Sequence, residues 1–167
     1  EGRGDFASAT LTDFQSLQGH TDDIHLVNWN PVFGKLATAD VSGAIVVWQL
    51  QQGAWQQEMM NNRNKSTVQA IKWSNNGKYI CIAYADGNII LGDVNGKRLW
   101  TRDLDSVLRC VEWSPCDQFL LFTDDKGQVV LHDLKGTVVA QVPNHTIARD
   151  DTPPAVVATS WHHALVA

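Results

Sequence analysis

Apolar residues fall along this chain in short runs of about four to six, each closed by turn residues, and no segment keeps the spacing of a helix. Residues 25–29 (HLVNW) read as a short strand stopped by Asn30-Pro31, and residues 35–39 (KLATA) as a second ending in the turn DVSG. Residues 45–48 (IVVW) are apolar at consecutive positions, which predicts a strand covered on both faces. Residues 55–58 (WQQE) alternate and predict an outer strand with one wet face. The Gln/Asn-rich segment 51–62 holds Gly53 and no apolar stripe, so no helix is expected there.

The same pattern comes back. SGAIVVWQLQQGAW (42–55) is echoed by DGNIILGDVNGKRLW (86–100) and KGQVVLHDLKGTVV (126–139). The turn glycines Gly43, Gly87 and Gly127 lie 44 and 40 residues apart, and so do Trp29, Trp73 and Trp113 in the strands upstream. Trp161 follows after a gap of 48 and would open a fourth unit. Two landmarks sharing one period mark a repeat protein. Four short antiparallel strands per ~40 residues is the make-up of a β-propeller blade, whereas a β-sandwich would not need Trp and Gly to recur in phase. The expected fold is all-β: an incomplete propeller of three to four four-stranded blades over 17–167, at about 17–60, 65–101 and 105–142, with the start of a next blade at 155–167. Residues 1–16 read as an inter-blade connection or flexible terminus, and 143–154, with Asp-Thr-Pro-Pro, as an inserted loop.

With these landmarks the chain resembles a WD-repeat array: Gly19-His20 opens the first unit, Trp29 sits in its first strand and Trp48 closes the turn-to-Trp stretch. The resemblance implies a His, Ser/Thr, Asp and Trp network in each blade. His20, Thr38 and Trp48 match it, while Ser42 stands where the Asp is expected. The second unit has Asp86 at that place but Gly92 for the Trp and no Gly-His, and the third has Lys126 and His132. LQGHTDDIHLVNWN, GAWQQEMMNNRNKSTVQAIKWS and YADGNIILGDVNGKRLW are similar to the WD-repeat family of intraflagellar transport complex A, which carries the Asn-Asn-Arg-Asn-Lys-Ser stretch. Tubby-like proteins with an N-terminal WD array share the blade style.

Composition narrows the chemistry. A net charge of -5 gives no overall attraction to nucleic acid or anionic lipid, and no apolar run approaches the ~20 residues that cross a bilayer. The three cysteines, Cys81, Cys110 and Cys116, form no CxxC pair and are expected as reduced, core or half-buried thiols in a cytosolic compartment. The six histidines are scattered, and His162-His163 would point to opposite faces of a strand, so no metal site is expected. No nucleophile elbow or phosphate-binding loop is present. Asp22-Asp23 and Asp124-Asp125 sit in turn contexts, where Asp accepts from local backbone N–H groups. No catalytic residue and no cofactor is therefore expected. Arg3-Gly4-Asp5 reads as a charged terminus, and the sequons at Asn64 and Asn144 carry weight only in a secreted chain.

One stretch asks for a partner: Met59, Met60, Asn61, Asn62, Arg63, Asn64 and Lys65, read as the link from an outer strand to the next inner strand, where Met and cations suit an adaptable contact at a rim. Trp55 and Trp100, read as equivalent outer positions, are expected to pack between blades. The resemblance implies a non-catalytic scaffold in cilium assembly and retrograde ciliary transport. Its partners would be other complex A subunits and ciliary cargo or adaptors, in the cytoplasm and at the cilium or flagellum and basal body. The alternative is a tubby-like substrate adaptor of a ubiquitin ligase. On either reading Trp29, Trp73 and Trp113 should be buried alike, and blades are expected before residue 17 and after residue 161, because each blade's apolar face needs a neighbour.

Overall fold

The computed structural model describes residues 15–62 and 66–142. The connection at 1–14, Arg63, Asn64, Lys65, the loop at 143–154 and the unit opened by Trp161 lie outside the described residues.

Twelve strands form three four-stranded antiparallel sheets, each in simple meander order. The first holds β1 (Ile24–Asn30), β2 (Lys35–Asp40), β3 (Ala44–Gln51) and β4 (Ala54–Asn62). The second holds β5 (Val68–Trp73), β6 (Tyr79–Tyr84), β7 (Asn88–Asp93) and β8 (Arg98–Asp103), and the third β9 (Leu108–Trp113), β10 (Phe119–Asp124), β11 (Val129–Asp133) and β12 (Val138–Val142). The inner strands β1, β5 and β9 pack in succession, while among the described residues the outer strands β4, β8 and β12 make no comparable contact with one another. That wedge-shaped stacking, close at the centre and splayed outside, defines consecutive blades of a β-propeller.

Local chemistry explains the turns. Gly43, Gly87 and Gly127 all take positive φ (94°, 84° and 75°) in the tight turns β2–β3, β6–β7 and β10–β11. At Gly87 the carbonyls of Leu104 and Ser106 leave no room for a Cβ, so the side-chain-free residue is required twice over. An Asp three residues ahead of the glycine organises four of the turns. Asp40, Asp93, Asp124 and Asp133 each accept, through Oδ1, the backbone N–H groups two and four residues on.

Two apolar layers glue the blades. Ala37, Ala39, Ile45 and Val47 of blade 1 pack on Val68, Ile71, Trp73, Ile80 and Ile82 of blade 2. Cys81, Ala83, Ile89 and Leu91, on the other face of blade 2, pack on Leu108, Val111, Trp113, Leu120 and Phe122 of blade 3. β7 is thus apolar at consecutive positions because both its faces are covered. Polar ties repeat with the period of the chain. Trp73 Nε1 donates to the Asn28 carbonyl (3.3 Å) and Trp113 Nε1 to the Lys72 carbonyl (3.0 Å). The buried Lys35 ammonium reaches both Glu58 of its own blade and the Val94 carbonyl of the next.

Trp29 departs from the expectation of equal burial. Trp73 and Trp113 are 8% and 6% exposed, Trp29 48%. Ile24 and Val27 are bare as well, whereas their counterparts Val68, Ile71, Leu108 and Val111 are buried. The reason is positional: each inner-strand Trp is buried by the blade before it, and among the described residues no blade precedes β1. Trp29 stands edge to face on Trp55 at 5.9 Å.

Candidate functional site: the network positions and the outer rim

Blade 1 carries a complete four-residue network, and its acidic member differs from the sequence reading. His20 Nδ1 lies 2.7 Å from Asp40 Oδ2, and His20 Nε2 lies 2.7 Å from Thr38 Oγ1. Trp48 Nε1 donates to the same Thr38 hydroxyl at 2.9 Å. Ser42 is not a vacant Asp position. It donates to Asp40 Oδ1 through both its hydroxyl (2.7 Å) and its N–H (3.1 Å). Asp40 ends β2 one residue past the Ala39↔Ile45 pair, so its side chain points to the same face as Thr38 and Trp48. Burial alone would raise its carboxyl pKa, but the bonds from Ser42, His20 and Ala44 outweigh that and hold it below the ordinary 3.8.

Strand register places the counterparts. Thr38, Asp40 and Trp48 correspond to Ile82, Tyr84 and Gly92 in blade 2 and to Phe122, Asp124 and His132 in blade 3. By its spacing of four residues ahead of β9, Leu104 of blade 3 matches His20, four residues ahead of β1. Asp86 and Lys126 therefore stand at the Ser42 place. With Gly92 in place of the tryptophan, a cavity of about 230 Å³ opens beside it, lined by Met59, Met60, Ile80, Ile82 and Ile90. In blade 3 a larger one, about 400 Å³, opens between Leu104, Leu108, Phe122, Val130, Asp124 and His132. His132 is 2% exposed. Its ring stands edge to face on Phe122 at 5.0 Å, and neither ring nitrogen has a hydrogen-bond partner of ordinary geometry among the described residues. Burial pushes its imidazole below the usual 6.5 and keeps it neutral near pH 7.

The proposed contact stretch is divided by the structure. Met59, Met60, Asn61 and Asn62 are part of β4, paired with Val47, Val46, Ile45 and Ala44, so they are strand and not linking loop. Met59 points inward: it packs on the first core layer, and a Cβ on Gly96 of blade 2 would lie 2.5 Å from its Sδ. Its counterpart is Trp100, which packs on the Gly136 turn of blade 3 and donates Nε1 to the Leu134 carbonyl at 2.8 Å. Trp55 is not equivalent to Trp100, because the β3–β4 hairpin is longer and ends in a turn with positive φ at both Gln52 and Gly53. Trp55 sits in that extension, paired with Leu50. Among the described residues of the stretch, Met60 and Asn62 are exposed and Asn61 is half-buried.

Cys81 is buried, which raises its thiol pKa. Cys116 is exposed instead of core or half-buried, and its thiol is lowered by the Ser114 hydroxyl and the Gln118 N–H. Among the described residues no group of three or more His, Cys, Asp or Glu is placed to hold a metal ion.

Blades of four antiparallel strands stacked by their inner edges, with one intact His-Thr-Asp-Trp network, define a WD-repeat β-propeller protein. The C-terminal WD40 domain of Sif2 superposes with a TM-score of 0.61 at 18% identity, covering 72% of this chain and 37% of that one. A sequence model of the WDR35/TULP4 N-terminal β-propeller matches residues 1–166, and the chain belongs to that family. It is 36% identical over 162 residues to WD repeat-containing protein 35 of Rattus norvegicus and of Homo sapiens, covering 96% of this chain and 14% of each relative. It is also 36% identical over 152 residues to human Tubby-related protein 4, covering 90% of this chain and 9% of that protein. The chain thus spans a small fraction of the relatives it matches. What the fold and family support directly is a protein-interaction scaffold.

Proposed function

We propose that the chain is a propeller segment of a non-catalytic subunit of intraflagellar transport complex A, working in cilium assembly and retrograde ciliary transport. The observation that carries the reading is the likeness to WD repeat-containing protein 35 over 96% of this chain. The partners are other complex A subunits and ciliary cargo or adaptors, and the protein works in the cytoplasm, the cilium or flagellum and the basal body. The contact stretch narrows to Met60, Asn61 and Asn62 on the outer strand, continued by Arg63, Asn64 and Lys65. Met59 drops out because its side chain is spent between blades.

A tagged parent protein is captured from ciliated cells and its co-isolating subunits are quantified. Recovery of complex A subunits supports the reading, and recovery of ubiquitin-ligase components without them overturns it. The latter outcome supports the tubby-like adaptor, for which the 36% identity to Tubby-related protein 4 speaks. Replacing Arg63 and Lys65 with Glu should weaken recovery in a salt-dependent way, because rim charges mainly steer encounter. Unchanged recovery at low salt would remove the stretch from the interface.

A further inference from the structure

The tripeptide Asn-Gly-Lys occurs twice, at 76–78 in the β5–β6 turn and at 95–97 in the β7–β8 turn. The two turns share a frame. Gly77 and Gly96 take positive φ (71° and 85°), and each donates its N–H to the carbonyl three residues back, Ser74 at 2.9 Å and Asp93 at 3.0 Å. The surroundings differ. Asn76 accepts through Oδ1 from the Ser74 hydroxyl (2.8 Å) and the Lys78 N–H (2.9 Å), and its own N–H donates to Asp117 Oδ2 of blade 3 at 2.8 Å. Blade 1 grips the same turn from the other side: Asn30 Nδ2 donates to the Gly77 carbonyl at 2.8 Å, and Gly77 is buried against Val32 and Phe33. Asn95, Gly96 and Lys97 are all exposed. Among the described residues the Asn95 side chain makes no hydrogen bond, and its backbone N–H donates to Asp93 Oδ1 at 2.9 Å.

We propose that Asn95 is a self-modification site, where the Gly96 nitrogen closes on the Asn95 side-chain amide and the product loosens the contact between blades 1 and 2. The bond from Gly96 N to Asn95 Cγ forms as the Cγ–Nδ2 bond breaks, and the Gly96 amide proton leaves with that nitrogen as ammonia. Water then opens the five-membered imide. Cleavage of the new N–Cγ bond gives aspartate, and cleavage of the original peptide bond gives an isoaspartyl link through Cγ. The sum is amide plus water to carboxylate plus ammonium, with no oxidant or reductant. Glycine permits the closure because no Cβ hinders its nitrogen or its rotation. Two facts select Asn95 over Asn76. An untied side chain swings onto the next nitrogen freely, whereas Asn76 must first give up two hydrogen bonds. The exposed β7–β8 turn also opens locally at lower cost than a turn tied to the blades on both sides. The product reaches the blade contact, because Gly96 packs so closely on Met59 of blade 1 that a Cβ there would lie 2.5 Å from its Sδ. An isoaspartyl link lengthens the main chain by a carbon just before Gly96. The new carboxylate stands beside Asp93, which already serves the Asn95 and Lys97 N–H groups. Both changes draw the turn off Met59.

The intact protein is held in mildly alkaline buffer, sampled over days and digested. Conversion at each Asn-Gly site is read by mass spectrometry, with aspartate and isoaspartate resolved by electron-transfer fragmentation. A parallel series in concentrated urea is the reference, because both sites carry the residues Asn-Gly-Lys and should react alike once unfolded. In the folded protein Asn95 should convert about thirtyfold faster than Asn76, the weight of two ordinary hydrogen bonds, and the two rates should converge in urea. Asn95→Gln, which needs a larger ring, should leave the turn unmodified. Protein converted at Asn95 should form Met59 sulfoxide several-fold faster in dilute peroxide than fresh protein, with the exposed Met60 as internal standard. Equal rates at the two sites in the folded protein, or the same preference persisting in urea, would overturn the site. Unchanged Met59 oxidation in converted protein would overturn the loosening of the blades.

Discussion

Asp40→Ala and Asp124→Ala delete the same side chain at the same point of two blades, and the structure says they should not cost the same. Asp40 Oδ2 holds His20, whose ring is nearly buried, and Oδ1 holds the N–H groups of Ser42 and Ala44 and the Ser42 hydroxyl. After truncation Ser42, half exposed, finds water, but the buried Ala44 N–H and the His20 ring do not. A buried donor left without its partner costs about 1–3 kcal/mol, more where the lost partner was charged, so the loss should be about 3–5 kcal/mol. Among the described residues Asp124 accepts from Lys126 and Gln128 alone, both exposed residues whose N–H groups rehydrate. Its loss should be about 1 kcal/mol. Urea unfolding at pH 7, read by tryptophan fluorescence, measures both. With a slope of about 2 kcal/mol/M, the midpoint should fall by about 2 M for the first variant and about 0.5 M for the second. Losses that agree within about 0.5 kcal/mol would refute the view that blade 1 alone carries a working network.

Trp73→Ala should destabilise by about 3–5 kcal/mol, while Trp29→Ala, on the open face, should cost under about 1 kcal/mol in the same urea assay. Gly87→Ala forces a Cβ onto two backbone carbonyls and should unfold the chain at ambient temperature or cost more than about 3 kcal/mol. Gly53→Ala, at φ 82° in open space, should cost only about 1 kcal/mol of backbone strain. Gly92→Ala should raise the melting temperature: its φ is ordinary, a Cβ would sit in contact range of Ile80 at 3.5 Å, and the substitution restrains the unfolded chain by about 0.4–1 kcal/mol. Burial holds His132 below its ordinary 6.5, so the unfolded chain takes up that proton first and stability should fall as pH drops below about 6.5. His132→Phe should show a shallower decline between pH 7 and 5 in parallel melts, and an identical slope would refute the assignment.

Period and element type were legible in the residues themselves, because both are local. Strand runs alternate or are apolar throughout, and a turn that demands positive φ admits glycine and little else, so Gly43, Gly87 and Gly127 marked the repeat. Trp73 and Trp113 keep that phase as well, each donating to the equivalent backbone carbonyl of the blade before it. Three things escaped the sequence because they depend on which atoms the fold brings together. Asp40 is the network's acid through strand register: the residue three places before the turn glycine faces His20, and the Asp-x-x-Gly spacing shared with Asp124 was the one signal that marked it. Met59 and Trp100 are counterparts although one hairpin is longer, since a hairpin extension shifts sequence spacing and leaves the inter-blade contact in place. The cavities are the least readable of all. Gly92 and His132 are ordinary letters in a strand pattern, and only the stacking of blade on blade turns a missing indole or a missing imidazole into an open cleft between packed strands.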